Sequence, residues 1–261
     1  MQRTIKHQAR RKNQKKTPHK DGKTQKGTQT NNTQTPNHID SVADKHSFFL
    51  TQELVKDKSN EITAIPQLLD NLNLKGHTLT NDAIATQKEI VVKTRQRQAN
   101  YVLTLKANQK TLYTNVSLCF ADPAFLTTKC QYFKTKKKTR GNIEQREYWQ
   151  SKDLSRLSTR DNWMDLKTIV MTKNTLTKPD GTTSVQSRYF ISSLPLDVKK
   201  IARVICGHWL VESAHWHLDV TFGEDANRTL EKTAAFNLNI LRKLVLNFLK
   251  NSGSLRVQRS C

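Results

Sequence analysis

The order of short apolar runs between residues 38 and 108 limits this chain to a small set of folds. HIDSVADKHSFFLTQELV, at 38–55, has two β-branched or aromatic runs around a polar ADKH, which predicts a hairpin. A helical pattern follows, then a strand at 75–83, a second helical pattern and a strand at 100–108. This alternation favours a layered α/β domain with parallel strand pairing at its centre.

Asp82 stands where the predicted strand at 75–83 ends. Open α/β sheets place their ligands at that end of the strands, because the loops converge there. Two-metal phosphodiester chemistry needs clustered acidic oxygens that hold hard cations about 3.5 to 4 Å apart. An Asp after a strand also commonly caps the next helix or lies in a turn. The residues alone leave both interpretations of Asp82 open.

Residues 110–195 have a different character and predict a β-rich insertion. Four segments are rich in β-branched and aromatic residues, and Pro-Asp-Gly at 179–181 marks a turn. The segments are QYFKTKKKTRGN, IEQREYW, LKTIVMTK and SRYFISSL. We expect them to form mainly antiparallel strands.

Residues 196–251 predict two helices that close the chain. The first contains VKKIARVICGHWLVESAHWHL, in which Glu212 follows apolar residues at helical spacing. The second has an apolar stripe, which we interpret as an ordinary amphipathic core face rather than a partner site. The stripe consists of Leu238, Leu241, Leu244, Val245 and Leu249.

The charge balance predicts a polyanionic partner, with nucleic acid as the first candidate. The chain has 44 Lys and Arg against 22 Asp and Glu, a net charge of +22. Basic residues are dense at 1–37 and in KTKKKTR at 134–140, a distribution that suits phosphate neutralisation more than base recognition, although either could be a solvated run. Residues 1–37 have almost no large apolar side chain, which predicts a mostly disordered arm.

Membrane insertion, export and a zinc site are all disfavoured. No apolar stretch approaches the roughly 20 residues that a bilayer span requires, and the basic start lacks the apolar segment of a secretory signal. The four cysteines include no CxxC pair, which fits a reducing interior and argues against zinc. We expect a cytoplasmic, nucleoid-associated protein with no membrane partner.

Composition and pattern together divide the chain of 261 residues into five parts. They are a basic arm at 1–37, the first part of the core at 38–109, the insertion at 110–195, the helical completion of the core at 196–251 and a tail at 252–261.

Several segments resemble, in order and spacing, bacterial insertion-sequence DDE transposases of the H-repeat-associated branch, within the IS-four-like superfamily. The resemblance spans nearly the whole chain, and no short motif alone carries it. The segments are KDGKTQKG, DKSNEITAIPQLLDNLNLKGHTLTNDAIATQKEIV, NYVLTLKANQKTLY, RYFISSL and GHWLVESAHWHLDVTFGEDANR.

The resemblance implies a ribonuclease H-like fold, an α/β mixed sheet with flanking helices and a β-rich insertion before the last catalytic helix. It also implies three acids that hold two Mg²⁺ or Mn²⁺ ions: Asp21 in DGKT, Asp82 in NDA and Glu212 in WLVES. One ion would activate water or a 3′ hydroxyl, and the other would stabilise the leaving oxygen. The implied partners are double-stranded DNA, as terminal repeats and target, and a second copy of the chain in a homo-oligomer.

Four further residues are candidates for contacts with DNA phosphates or for substrate positioning. They are Lys88, Lys106, His208 and Arg228. Each residue type is more typical of a solvated surface charge or, for His208, of a satisfied packing residue than of an essential group.

Other acids and aromatic residues compete with this assignment. Asp40 stands where the family pattern is apolar, so we interpret it as a substitution that harms the core rather than as a ligand. Glu224 and Asp225 match an acidic pair of the family, but caps and surface ion pairs account for such pairs as often, so they stay off the catalytic list. Trp149, Trp209 and Trp216 could stack on an unpaired base, although core packing is the commoner role.

The chain also departs from the family pattern around the acids. The helical region that usually precedes the first acid looks lost, and NQKKTPHK before Asp21 contains no strand former, so we expect Asp21 to lack its strand. Between Glu212 and His215 the chain is one residue shorter than the family pattern. This difference would rotate the side chains that follow by roughly 100° about the helix axis. Cys206 stands where the family has an arginine. These departures predict a truncated, catalytically impaired copy.

The sequence supports two specific functions and leaves one generic alternative open. The first is a DDE transposase that acts on the ends of its own element. The second is a catalytically inactive DNA-binding remnant that could regulate transposition, and metal-dependent nicking would separate the two. A generic basic nucleoprotein component is the third.

Overall fold

A computed structural model gives the fold of residues 18–24, 37–43, 48–55, 61–139, 141–229 and 231–252, with side chains from 65 onward except at 139, 209–214, 225 and 232. Nine strands and six α-helices lie in this part of the chain. The strands are β1 Pro18–Thr24, β2 Asn37–Ala43, β3 Phe48–Val55, β4 Thr78–Asn81, β5 Asn100–Leu105, β6 Cys130–Thr139, β7 Asn142–Ser151, β8 Thr168–Thr177 and β9 Thr183–Ser192. The helices are α1 Glu61–Asp70, α2 Lys88–Gln96, α3 Lys110–Ala121, α4 Pro123–Lys129, α5 Val198–Trp216 and α6 Lys232–Asn251.

The strands form one mixed sheet in the order β3-β2-β1-β4-β5-β9-β8-β7-β6. β1, β4 and β5 are parallel neighbours, while the hairpin strands β2 and β3 and all strands from β9 to β6 pair antiparallel. The predicted hairpin at 38–55 and the two predicted parallel strands are confirmed. The carboxyl ends of β1, β4 and β5 meet at one edge of the sheet, which we call the carboxyl edge.

Helices cover both faces of the sheet. On one face α1 and α2 pack on β4 around Leu68, Leu79 and Ile90. Next to them, α3 and α4 pack on β5 around Leu103 and Phe120. On the other face α5 packs through Ile201 and Ile205 against β5 and the strands beyond it. A mixed sheet between helices, with a β-rich insertion before the long helix α5, confirms the predicted ribonuclease H-like α/β class.

The insertion differs from its prediction in two ways. Its four strands are antiparallel as expected, but they extend the central sheet, because β9 pairs with β5 through Val102↔Ser192 to Leu105↔Tyr189. Residues 110–129 are helical, whereas a strand-rich segment was predicted there. The apolar side chains of α3 recur at helical spacing and are buried in the core, and this packing outweighs the β propensity of its threonines and aromatics.

Strand β1 lies within the segment that was predicted to be a disordered arm. That prediction is wrong for residues 18–24, which pair antiparallel with β2 and parallel with β4. Backbone hydrogen bonds form a strand without any apolar side chain, and Pro18 stands at its first position, where a missing N–H is tolerated.

Helix α6 exposes the stripe that was predicted to be a core face. Leu241, Leu244 and Val245 are 57, 46 and 45% exposed, so the core interpretation is wrong for them. The buried side of α6 combines Ala235 and Leu246 with the polar residues Asn239, Lys243 and Lys250. The apolar periodicity indicated a helix correctly but gave the wrong buried side.

Candidate active site

Asp82 follows β4 directly and lies at the carboxyl edge. Its backbone continues the extended path of the strand, with φ −69° and ψ 167°, and its Oδ1 accepts a hydrogen bond of 2.7 Å from the N–H of Ala83. This bond caps a short 3-10 turn at Ala83–Ala85. The side chain of Asp82 is 52% exposed, so it is both a cap and a carboxylate open to solvent.

Lys106 is the cation nearest to Asp82 among the described ion pairs. It follows β5, the parallel neighbour of β4, and its Nζ lies 3.5 Å from Asp82 Oδ1. Both side chains are more than half exposed, so their attraction is weak in water. A flexible lysine in this position can turn from the carboxylate to a phosphate that approaches the edge.

Asp21 lies on β1, and the strand register sets it beside Asp82. The two strands are joined at His19↔Thr80, and the two acids each follow two residues later. Neighbouring strands lie about 4.7–4.9 Å apart. The backbones of Asp21 and Asp82 are therefore adjacent at one level of the sheet. The prediction that Asp21 lacks its strand is wrong.

Glu212 lies on α5, which runs toward the same edge. The helix begins at the opposite edge, where the N–H of Val198 donates to Gln131 at the start of β6. Ten residues on, His208 Nδ1 lies 3.1 Å from Thr80 Oγ1 on β4. Glu212 follows His208 by about 6 Å along the axis and Asp82 follows Thr80 by about 6.6 Å, at 1.5 and 3.3 Å per residue. The backbone of α5 thus reaches the level of Asp82 at Glu212, whose side chain is outside the described part.

A family comparison matches this arrangement. The model of the family described as "Transposase DDE domain" matches residues 5–248. The chain belongs to the DDE transposase family.

Curated relatives agree with this membership. The chain is 33% identical over 222 residues to "Putative transposase YncI" of Escherichia coli O157:H7, and the match covers 84% of this chain and 57% of that protein. It is 30% identical over 218 residues to "H repeat-associated putative transposase YhhI" of Escherichia coli strain K12, which covers 82% of this chain and 58% of that protein. The H-repeat-associated branch is thereby confirmed, and the chain spans somewhat over half the length of these relatives.

DDE transposases act on DNA with divalent metal ions, so the acids of this chain need to suit such ions. Carboxylates at the end of strands are the hard oxygen donors that Mg²⁺ and Mn²⁺ prefer, and Asp82 has the solvent access that an incoming ion requires. Among the described side chains no three His, Cys, Asp or Glu lie close enough to hold a metal. The side chains of Asp21 and Glu212 are not among those described. All three candidate ligands are carboxylates, and in that respect the donor set suits divalent ions of this kind.

The four candidates for phosphate contacts or substrate positioning lie at different places in the chain. Lys106 and His208 are at the carboxyl edge, as described above. Lys88 begins α2 and Arg228 precedes α6, and both are exposed. The structure therefore brings two of the four, Lys106 and His208, to the acids.

The rival acids occupy distinct environments. Asp40 lies on β2 directly opposite Asp21 in the register of the hairpin ladder. Glu224 is completely buried and accepts a hydrogen bond from the side-chain amide of Asn239 on α6. The contact ties the loop after α5 to α6, which is a structural role, and the side chain of Asp225 is outside the described residues.

Cys206 is on α5, and its side chain contacts β7. Arg146 Nη1 is 3.5 Å and the Tyr148 hydroxyl is 3.3 Å from Cys206 Sγ. Arg146 also forms a 2.6 Å ion pair with Glu144. A guanidinium from the neighbouring strand therefore stands beside the position where the family pattern has an arginine.

The tryptophans give little support to a role in base stacking. Trp149 is partly buried and packs against the ring of Tyr132 at 5.1 Å between centroids, while Trp216 is 56% exposed beside His217. The side chain of Trp209 is outside the described part.

Sequence reasoning missed Asn81, the residue before Asp82. Asn81 is 1% exposed, and among the described residues neither its Oδ1 nor its Nδ2 has a hydrogen-bond partner. A buried carboxamide without partners costs free energy. The signal was available, because Asn81 ends the otherwise β-forming run TLTN.

Of the helices that the described residues form, none has the length and apolar character needed to cross a bilayer.

Proposed function

We propose that this chain is the catalytic core of a transposase that cleaves and transfers DNA strands at the ends of an insertion sequence. Asp21, Asp82 and Glu212 would hold two divalent ions, Mg²⁺ or Mn²⁺. The observation that carries the proposal is the convergence at the carboxyl edge. Parallel strands β1 and β4 are in register at their acids, and α5 contacts β4 two residues before Asp82.

The chain's own residues prepare this site before DNA arrives. The N–H of Ala83 fixes Asp82 Oδ1, so the carboxylate loses little freedom when it binds a ligand. The Thr80–His208 contact holds α5 at one position along β4, and this position determines the level of Glu212. Lys106 offers a positive charge for the phosphate next to the scissile bond. The bound ions would activate the attacking water or 3′ hydroxyl and stabilise the leaving oxygen.

Double-stranded DNA is the proposed substrate, as the terminal repeats of the element and as target. The net charge of +22 supplies the non-specific part of the affinity. We propose a homo-oligomer for the paired ends and a cytoplasmic, nucleoid-associated location, because the substrate is there.

The second candidate is an impaired or inactive DNA-binding remnant. One of its three grounds is gone, since Asp21 lies in a strand. Two remain as expectations from the sequence, one residue fewer after Glu212 than in the family pattern and a cysteine at position 206. We therefore propose slow cleavage rather than none.

A cleavage assay tests the proposal. DNA that bears the two ends of the element is incubated with the protein and Mg²⁺ or Mn²⁺, and nicks are mapped for the unaltered chain and for Asp82→Asn. Asp165→Asn is the matched control, because Asp165 is also exposed and paired with a single cation, Arg95, but lies away from the carboxyl edge.

We expect metal-dependent nicks at the element ends from the unaltered chain and from Asp165→Asn, and none from Asp82→Asn. Binding without any nick, in either metal, would favour the inactive remnant. Equal cleavage by Asp82→Asn and the unaltered chain would contradict the proposal.

A further inference from the structure

The distal part of the β-rich insertion projects beyond the carboxyl edge. The last pair between β5 and β9 is Leu105↔Tyr189, and the six residues Thr183–Arg188 of β9 lie past it. At about 3.3 Å per residue they extend roughly 20 Å. β6, β7 and β8 accompany β9 in register. We call this projection, residues 133–148 and 172–188 apart from 140, the arm. From here on the word refers to this projection and not to residues 1–37.

One face of the arm collects lysines. Lys134, Lys136 and Lys138 alternate along β6, so they share a face of the sheet. Lys173 on β8 joins them through the row Lys134↔Glu147↔Lys173. We call these four residues the lysine face. Lys134, Lys136 and Lys138 are exposed, and Lys173 is partly exposed.

The positive charge of the lysine face is largely uncompensated. Glu147 is its only described acid, and that carboxylate accepts hydrogen bonds from the Tyr132 hydroxyl and the Gln145 amide. In the part of the chain that the structure describes, none of the four lysines forms an ion pair. On the opposite face Arg146 is paired with Glu144 and contacts α5 through Cys206. The lysine face therefore has four lysines against one acid, while the face toward α5 has Lys137, Arg146 and Arg188 against Glu144.

From this placement we infer that the lysine face binds the sugar-phosphate backbone of duplex DNA that flanks the site of cleavage at the carboxyl edge. The inference rests on the proposed function, since it takes DNA at that edge as given. Lysines on a flat strand surface act as point charges and read no bases, so the contact orients and retains the duplex without sequence preference. Alternating lysines spaced about 6.6 Å apart follow a backbone over several phosphates.

A competing explanation is that these lysines protect an edge strand. β6 is the last strand of the sheet, and lysines on edge strands prevent pairing with other chains. Edge protection needs charge of any kind at β6 and predicts no special contribution to DNA affinity. The two explanations differ in what happens to the salt dependence of binding.

The test compares two triple variants with the same change in net charge. Lys134, Lys136 and Lys138→Gln removes three charges from the arm. Lys152, Lys167 and Lys199→Gln removes three exposed charges from the other edge of the sheet, at the end of β7, before β8 and in the first turn of α5. In a third variant, Lys134, Lys136 and Lys138 are changed to Arg. This variant keeps the charge and controls for loss of folding. Affinity for a duplex is measured by fluorescence anisotropy over a range of salt concentrations.

We expect the arm variant to bind at least about tenfold more weakly and its slope of log affinity against log salt to be less steep by about 2 to 3, because each lost phosphate contact removes about 0.9. The Arg variant should bind like the unaltered chain, and the variant at the other edge should change the slope by much less. Equal losses in both Gln variants would overturn the inference. A loss of binding to anionic lipid vesicles with unchanged DNA affinity would overturn it too.

The outcome is independent of the cleavage assay. If the arm lysines determine duplex affinity but the unaltered chain never nicks DNA, the proposed catalytic function fails and the arm assignment holds. If the unaltered chain nicks DNA and the arm variant binds normally, the arm assignment alone fails.

Discussion

Thr80 on β4 and His208 on α5 lie 3.1 Å apart, Oγ1 to Nδ1, and join the strand that ends at Asp82 to the helix that carries Glu212. These elements are 128 residues apart in the chain. Because the contact is side chain to side chain, it can be removed without disturbing either backbone. It is the point at which the geometry of the proposed site can be altered with least damage.

Removing this contact should slow cleavage more than it weakens DNA binding. In Thr80→Val the hydroxyl is replaced by a methyl group of similar volume, and a lost hydrogen bond of this kind destabilises by about 1 kcal/mol. A shift of about 1 Å at a catalytic ligand can lower a rate by on the order of a hundredfold. We therefore expect kcat to fall at least about tenfold, with KM for DNA nearly unchanged.

A double-mutant cycle with His208→Phe checks that the two side chains act through each other. The double variant should be little worse than either single variant in kcat, with a coupling of about 1 kcal/mol. Strictly additive losses would show that the contact does not position the site.

Replacing Asn81 with leucine should stabilise the fold. Both polar atoms of the Asn81 side chain are buried with no partner in the part of the chain that the structure describes, and such a group costs about 1–3 kcal/mol. Leucine has a similar shape and leaves nothing unsatisfied. Urea unfolding should give a midpoint raised by an amount equivalent to about 1 kcal/mol, with an unchanged m value. A lowered midpoint would mean that the carboxamide has a partner in solution.

Replacing the buried Lys250 with an apolar residue should stabilise the fold by an amount that depends on pH. Burial lowers the pKa of Lys250 from 10.5 to about 8. Below about pH 8 both the folded and the unfolded chain carry its proton, so the full cost of burying the charge is present. Between about pH 8 and 10.5 the unfolded chain keeps the proton and the folded chain releases it, so the cost is progressively relieved as pH rises.

Lys250→Met should therefore unfold several degrees higher than the unaltered chain at pH 7, and the difference should shrink at pH 10. The shift corresponds to at most about 3 kcal/mol, at about 1.4 kcal/mol per pKa unit. Thermal unfolding followed by circular dichroism at the two pH values measures it. A stabilisation that is equal at both would place the effect in packing rather than in charge.

Local patterns correctly predicted the elements in which the propensity of the residues agrees with the packing and pairing in the fold. The hairpin at 38–55 has two β-branched or aromatic runs around a polar segment, and β4 and β5 have apolar residues that are buried. β1 has no such pattern, and its strand is formed by backbone pairing with β2 and β4, which a propensity argument cannot detect. α3 was missed because packing against β5 overrides its β-forming composition.

The candidate site, like the fold, could be predicted only in part from local sequence. The position of Asp82 after a strand follows from the sequence, and the resemblance supplied Asp21 and Glu212. Their relative placement depends on contacts between distant segments, the His19↔Thr80 register and the Thr80–His208 contact, which no local pattern encodes. The unpaired carboxamide of Asn81 is likewise visible only once its surroundings are known.

The central claim is that Asp21, Asp82 and Glu212 together hold divalent metal. Electron paramagnetic resonance of Mn²⁺ measures this directly, because bound Mn²⁺ loses the sharp signal of the free ion. Titrations compare the unaltered chain with Asp21→Asn, Asp82→Asn and Glu212→Gln, and with Asp165→Asn as control. We predict that each of the three variants loses the tightest Mn²⁺ site while the control keeps it. Unchanged Mn²⁺ binding in folded Asp82→Asn and Glu212→Gln would contradict the account.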